Sequence, residues 1–206
     1  MANTLGAFGF KPYGTASGPV NFAESHNPPY RIASGYGTAI FYGDAVRMNN
    51  SPTGYIERWA AGDGGTATYI LAGIFVGCSY YSTSQRKWVW NNYWPGADAT
   101  GDVDAYVVDD PNAQFLVQSN GSGSPITQVS IGQTADIVSG SGSNGSTVTG
   151  ISGMTLDNPT TTVTFPFKVV NVLNTPPGAN GTDLTTKNNY VMVAFNNQTY
   201  KALLGV

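Results

Sequence analysis

An all-β fold, an antiparallel sandwich or barrel-like domain with an extended N-terminal arm and little helix, is what this sequence predicts. Three observations carry the prediction. From Arg31 onward, short β-prone runs alternate with turn chemistry every eight to fifteen residues or so. No window joins apolar residues at helical spacing to a good N-cap and strong helix formers. Charged residues make up only 10% of the chain, with Gly, Ser, Thr and Asn in their place, against roughly 25% in an average domain.

Residues 1–30 carry Gly, Pro and single aromatics (Phe8, Phe10, Tyr13, Phe22, Tyr30) with no period of 2 or 3.6, and they close on Pro28-Pro29. The segment reads as an extended arm whose rings anchor it to another surface. On that reading, deleting residues 1–12 leaves the β-domain of residues 31–206 folded.

Within that domain the expected strands are Thr38–Tyr42, Ala45–Met48, Tyr55–Ala60, Tyr69–Tyr80, Trp88–Trp90, Val103–Val108 and Phe115–Gln118. Breaks fall at Gly43-Asp44, at 49–54, at the turn Gly62-Asp-Gly-Gly65, at Pro95-Gly96 and at Asp109-Asp-Pro111. A Ser/Gly-rich break at 119–125 allows a subdivision near residue 120. Strands are then expected at Ile126–Ile131, Ala135–Val138, Thr147–Ile151, Thr161–Leu173, Tyr190–Phe195 and Thr199–Leu204. An exposed loop tip is expected over 139–146. Alternation in the long run from Thr161 puts Val163, Phe165, Phe167, Val169 and Asn171 on one face, and Pro166 makes it an edge or bends it.

Composition excludes several functions. Net charge is −3 and the nine Lys and Arg are scattered, so the basic footprint of a nucleic-acid binder is missing. No stretch reaches the roughly 18 apolar residues of a membrane span, and the start at Met1-Ala-Asn-Thr has no signal-peptide character. Synthesis in a cytoplasm, with no membrane partner, is the expectation. The sequons at Asn120, Asn180 and Asn197 arise by chance in a chain this rich in Asn, Ser and Thr.

Reactive groups are few, and the expectation is a protein that is not an enzyme and carries no cofactor or metal. His26, the only histidine, lies in the arm, without the rigid surroundings a catalytic base needs. Cys78, the only cysteine, sits in an apolar run and reads as a buried thiol that rules out an intrachain disulfide. Asp98, Asp102 and Asp104 form the clearest acidic cluster. They match neither a calcium loop nor a specific hydrolase spacing, although Asp102 or Asp104 could serve a glycosidase.

That leaves Gln85-Arg-Lys-Trp-Val-Trp-Asn-Asn-Tyr-Trp-Pro-Gly-Ala-Asp98, which holds three of the four tryptophans. Trp88 and Trp90 at i and i+2 share one strand face, with Tyr93 and Trp94 following. Three uses are open to them: filling the domain's own core, covering a subunit interface, or stacking on sugar rings. The third would make the chain a carbohydrate-binding module or adhesin with a Trp88, Trp90 and Trp94 platform.

Several blocks together resemble a known class. They are Met1-Ala-Asn-Thr with Phe8-Gly-Phe10-Lys-Pro12, the run Ile32 to Val46, Gly54-Tyr-Ile-Glu57, Ile74-Phe-Val-Gly-Cys-Ser-Tyr80, Tyr93-Trp-Pro-Gly96 and Ala105 to Pro111. The pattern is similar to the capsid decoration, or cement, proteins of tailed bacteriophages, over roughly residues 1 to 160. The resemblance implies an all-β protein on the outer surface of the virion capsid that bridges major capsid protein subunits and stabilises the head. A terminal arm would tie it to its neighbours, and copies of it would form dimers or trimers at capsid symmetry axes. Contact residues expected from arm and strand are Phe8, Phe10, Tyr13, Trp88, Trp90, Tyr93 and Trp94.

Overall fold

A computed structural model describes residues 2–16, 29–50, 53–64, 69–120, 122–139 and 144–201. Thirteen strands run in chain order among these residues: β1 Lys11–Thr15, β2 Tyr30–Ile32, β3 Ala45–Asn50, β4 Thr53–Arg58, β5 Leu71–Ser82, β6 Lys87–Asn91, β7 Val103–Val108, β8 Ala113–Gln118, β9 Thr134–Ala135, β10 Ile137–Val138, β11 Thr155–Leu156, β12 Phe167–Val172 and β13 Tyr190–Phe195. The only helix among the described residues is a single 3-10 turn at Gln128–Ser130. All ladders between these strands are antiparallel.

The strands form a five-stranded sheet, β1-β8-β13-β12-β9, and a six-stranded sheet, β2-β7-β5-β3-β4, in which β6 also pairs with β5. A small β10-β11 ribbon accompanies them. The six-stranded sheet curls until β4 lies against β2. That seam is tied at Asp102, which accepts from the Ser34 amide at 3.1 Å and the Tyr55 hydroxyl at 2.9 Å. The curl encloses one core: Ile32, Val46, Ile56, Ala72, Phe75, Cys78, Tyr80, Val103, Ala105 and Val107, plugged by Ile40 and Trp94. The outer face of the same sheet, through Ala45, Leu71, Ile74 and Val108, packs on the five-stranded sheet to make a second core. Phe10, Phe115, Phe167 and Phe195 meet there, with ring centroids 4.5–6.3 Å apart. The fold is therefore a sandwich one of whose layers is curled toward a barrel.

β5 makes this possible because it is apolar on both faces. Leu71 and Ile74 face one core, and Ala72, Phe75, Cys78 and Tyr80 the other. A bulge between Phe75 and Gly77 resets the alternation midway, and Gly77 takes it up at φ 151°, a value that L side chains rarely adopt.

Several expectations need correcting. The first half of the expected arm is part of the domain itself. β1 pairs with β8, Phe10 is fully buried, and Asn3 accepts from the Gly181 amide at 2.7 Å while donating to the Asp183 carbonyl at 2.9 Å. Residues 17–28, His26 among them, lie outside the described residues. Thr38–Tyr42 is not a strand, because Ile40 bridges Trp94 while Tyr42 bridges Ile151, a different partner for each. Ile126–Ile131 winds into the 3-10 turn between Pro125 and Gly132, which has φ 90°. Residues 147–149 form a turn before Gly150 at φ 71°.

β12 begins only after Pro166, whose carbonyl accepts from the Asn196 amide at 2.8 Å. It pairs with both β13 and β9 and so is no edge. A bulge between Val169 and Asn171 flips its facing, so Val172 is buried in place of Asn171, and Val163 is exposed in the turn before the strand. From Thr199 to Lys201 the chain turns rather than extends, and 202–206 are outside the described residues. The tip over 139–146 falls partly outside them too.

Because Phe10 stacks on Phe167 inside the shared core, Phe10→Ala should destabilise the whole domain by about 3–5 kcal/mol. Urea unfolding would register this as a fall in midpoint. An unchanged midpoint would mean that the N-terminal segment is peripheral to the fold.

Candidate functional site

The tryptophan-rich stretch is a β-hairpin, β5–β6, and its two faces have opposite fates. Register places Tyr81 opposite Trp88, Tyr80 opposite Val89 and Ser79 opposite Trp90. Facing residues in an antiparallel pair share a side, so Tyr80 and Val89 turn into the enclosed core while Trp88 and Trp90 turn out. Their relative exposures are 67% and 73%.

The exposed rings are not loose. Trp90 stacks on Tyr106 of β7 with centroids 4.9 Å apart and planes 13° from parallel. Trp88 meets Tyr81 edge-on at 6.1 Å. The Tyr106 hydroxyl lies 3.2 Å from the Ser79 hydroxyl. Ser79 also faces Asp104 in register, and Arg31 pairs with Asp104 at 2.6 Å. The result is an aromatic strip, Tyr81, Trp88, Trp90 and Tyr106, with a polar border of Ser79, Asp104 and Arg31. Arg31 and Asp104 neutralise each other, so the strip carries no net charge.

Asp98 holds the hairpin in shape. It accepts from the Ser82 hydroxyl at 2.7 Å, the Thr83 hydroxyl at 2.9 Å and the Ser84 amide at 3.0 Å. Chiefly through the Ser82 hydrogen bond, its carboxyl is lowered to about 2. Arg86 closes the turn at φ 54°, its amide donating to the Ser82 carbonyl at 2.9 Å.

The other expected contact residues divide. Trp94 is fully buried, edge-on to Tyr80 at 5.1 Å, its indole N–H donating to the Tyr36 carbonyl at 3.0 Å. It belongs to the core and not to a three-tryptophan platform, because the chain leaves β6 at Asn92 and re-enters the sheet interior. Tyr93 is half-buried and stacked on Phe41. Phe10 is core. Phe8 packs edge-on against Tyr190 and lines an apolar groove of about 330 Å³ with Lys11, Tyr42, Leu116 and Ile151. Tyr13 is exposed, on β1, at the edge of the other sheet. Tyr81 and Tyr106 complete the strip, although nothing local in the sequence marks them; only their register beside Trp88 and Trp90 does.

Candidate reactive groups are engaged elsewhere. Asp102 ties the seam and Asp104 its ion pair with Arg31. Cys78 is a free thiol, and burial pushes it up to about 12. No group of three or more His, Cys, Asp or Glu among the described residues is placed to hold a metal ion. No helix among them is long and apolar enough to cross a membrane. No known family model, curated protein or solved structure matches the chain.

Two expected outcomes follow from this geometry. Trp88→Ala and Trp90→Ala should each cost no more than about 1 kcal/mol, the worth of a cross-strand aromatic pair, while Trp94→Ala should cost about 3–5 kcal/mol; equal losses from all three would contradict the burial pattern. The lowered Asp98 carboxyl stabilises the hairpin above the ordinary Asp range, and that contribution disappears as the pH falls through about 2. Asp98→Ala should remove about 1 kcal/mol of local stability at neutral pH, seen as faster amide exchange across residues 83–91. Exchange rates that match the wild type would show that the turn holds without it.

Proposed function

We propose that this chain is a virion structural protein that docks on the outer surface of a tailed-phage capsid and stabilises the head by bridging major capsid protein subunits and copies of itself. The observation that carries the reading is the exposure of Trp88 and Trp90 on a strip fixed in place by Tyr81, Tyr106 and the Asp98-held turn. Exposed indoles already held by neighbouring rings lose little freedom on contact and bury large area, which makes them anchors for a protein surface. A chain with 10% charged residues and a net charge of −3 brings little self-repulsion to a crowded shell. Many equivalent sites on a head multiply a modest affinity per copy.

The decoration-protein resemblance points the same way, and so does the engagement of Asp98, Asp102 and Asp104 in structural contacts, which leaves no carboxylate pair set over the strip among the described residues. One observation favours a second reading, a glycan-binding surface protein. Asp104 and Arg31 border the rings, and a sugar could stack on Trp90 while its hydroxyls donate to Asp104 and accept from Arg31. Trp94 has no part in it.

Heads lacking the protein decide between these. Added wild-type protein should co-sediment with them and raise their resistance to heat and low salt. Trp88→Ala/Trp90→Ala should bind at least tenfold more weakly. Equal binding by the double variant would end the docking proposal, and loss of binding in the presence of free oligosaccharides would favour the glycan reading.

A further inference from the structure

The edge and the face of β6 are separate surfaces. The rings of Trp88 and Trp90 stand off the sheet, whereas the outer edge of the strand presents backbone. Among the described residues β6 pairs with β5 alone, so alternate residues of Lys87–Asn91 direct N–H and C=O groups outward. Strand edges are usually guarded by proline, a bulge or several charges. The sequence Lys87-Trp-Val-Trp-Asn91 has no proline, its ladder to β5 runs without a bulge, and Lys87 is its only charge.

We propose that this edge pairs with the same strand of a second copy, antiparallel about a two-fold axis at Val89. The argument is the self-complementarity of these five residues. Among antiparallel registers, the one centred on Val89 pairs the whole strand: Lys87 faces Asn91, Trp88 faces Trp90, and Val89 faces its own equivalent. No like charges meet, and Arg86 just outside the strand falls opposite Asn92. Because facing residues share a side, the two aromatic strips merge into one. Two copies each of Tyr81, Trp88, Trp90 and Tyr106 then lie on a single continuous surface, free to contact the shell.

The inference rests on the reading of the strip as a protein contact, and it identifies one of the partners as a second copy. Five residues of strand pairing bury less than the roughly 1,200 Å² of the smallest stable interfaces, so the dimer is concentration-dependent in solution. Simultaneous binding to a shell makes up the difference.

Two single variants of the full chain, Trp88→Cys and Trp90→Cys, test the pairing and its register. Directly opposed Cα atoms lie about 4.5–5.5 Å apart, within disulfide reach, and the buried Cys78 thiol stays out of the exchange. A one-to-one mixture of the two variants under mild oxidation should give a crosslinked dimer in at least tenfold higher yield than either variant alone. Sedimentation of the wild type should show a dimer that grows with concentration, and Trp88→Glu/Trp90→Glu should remain monomeric while still unfolding cooperatively in urea. No crosslink in the mixture, equal yields from the single variants, or a wild type that stays monomeric at millimolar concentration would each overturn the pairing. If pairing fails while the alanine variants still lose head binding, the capsid proposal stands without it. If the crosslink forms and the wild type at dimer-forming concentration does not bind heads, the pairing stands and the capsid proposal falls.

Discussion

The double burial of β5 is the constraint on which the rest of the structure depends. A strand buried on both sides has to be covered twice, and this chain covers it with two different devices. The five-stranded sheet packs on one side. On the other, the sheet that contains β5 curls over and is closed by Ile40 and Trp94. Only beyond the reach of the second sheet does β5 emerge into solvent, and there it forms the hairpin with β6. The aromatic strip is thus the exposed continuation of a strand whose other end is fixed in both cores, which gives the surface rings a rigid base.

The chain also accepts an electrostatic cost. Asp44 is fully buried, with oxygens that accept from Arg58 Nε at 2.7 Å, the Phe41 amide at 2.9 Å and the Ser152 hydroxyl at 2.5 Å. Burial pushes its carboxyl upward in spite of Arg58. Replacing such a pair with apolar residues is often neutral or stabilising, but an apolar side chain could not hold β4, the 40–45 crossing and Ser152 in one arrangement. Its value here is orientation, because it fixes β4, the 40–45 crossing and Ser152 relative to one another.

Much of this was legible in the sequence. The all-β class, β5, β7 and β13 follow from apolar runs and turn residues, and Trp88 and Trp90 were placed on a common face by spacing alone. The sequence could not say which face was the core. In Trp-Val-Trp the small residue points inward and the large ones outward, against the ordinary rule that large apolar side chains are buried, and only the register with Tyr80 decides it. Trp94 has the opposite fate because Asn91 and Asn92 end the strand before it, so its direction is independent of theirs. β1 was illegible for another reason: Lys-Pro-Tyr-Gly-Thr has no strand pattern of its own and becomes a strand through pairing with β8, about a hundred residues on. The bulge in β12 likewise breaks the period of 2 where no residue announces it, whereas Gly77 marks the one in β5.

The interleaving of the N-terminal strand with late elements shapes how the chain can fold during synthesis. Every strand of the curled sheet has been made once Val108 emerges, so that layer can close early. The five-stranded sheet cannot. β1 has to wait for β8, and β8 has its inner neighbour only when β13 appears at Tyr190–Phe195. Until then Ala45, Leu71, Ile74 and Val108 lack the layer that covers them, and a half-made chain shows an apolar face that the finished one hides. Translation speed and chaperone access over the second half of the chain therefore bear directly on yield, because the sandwich is completed from its C-terminal end.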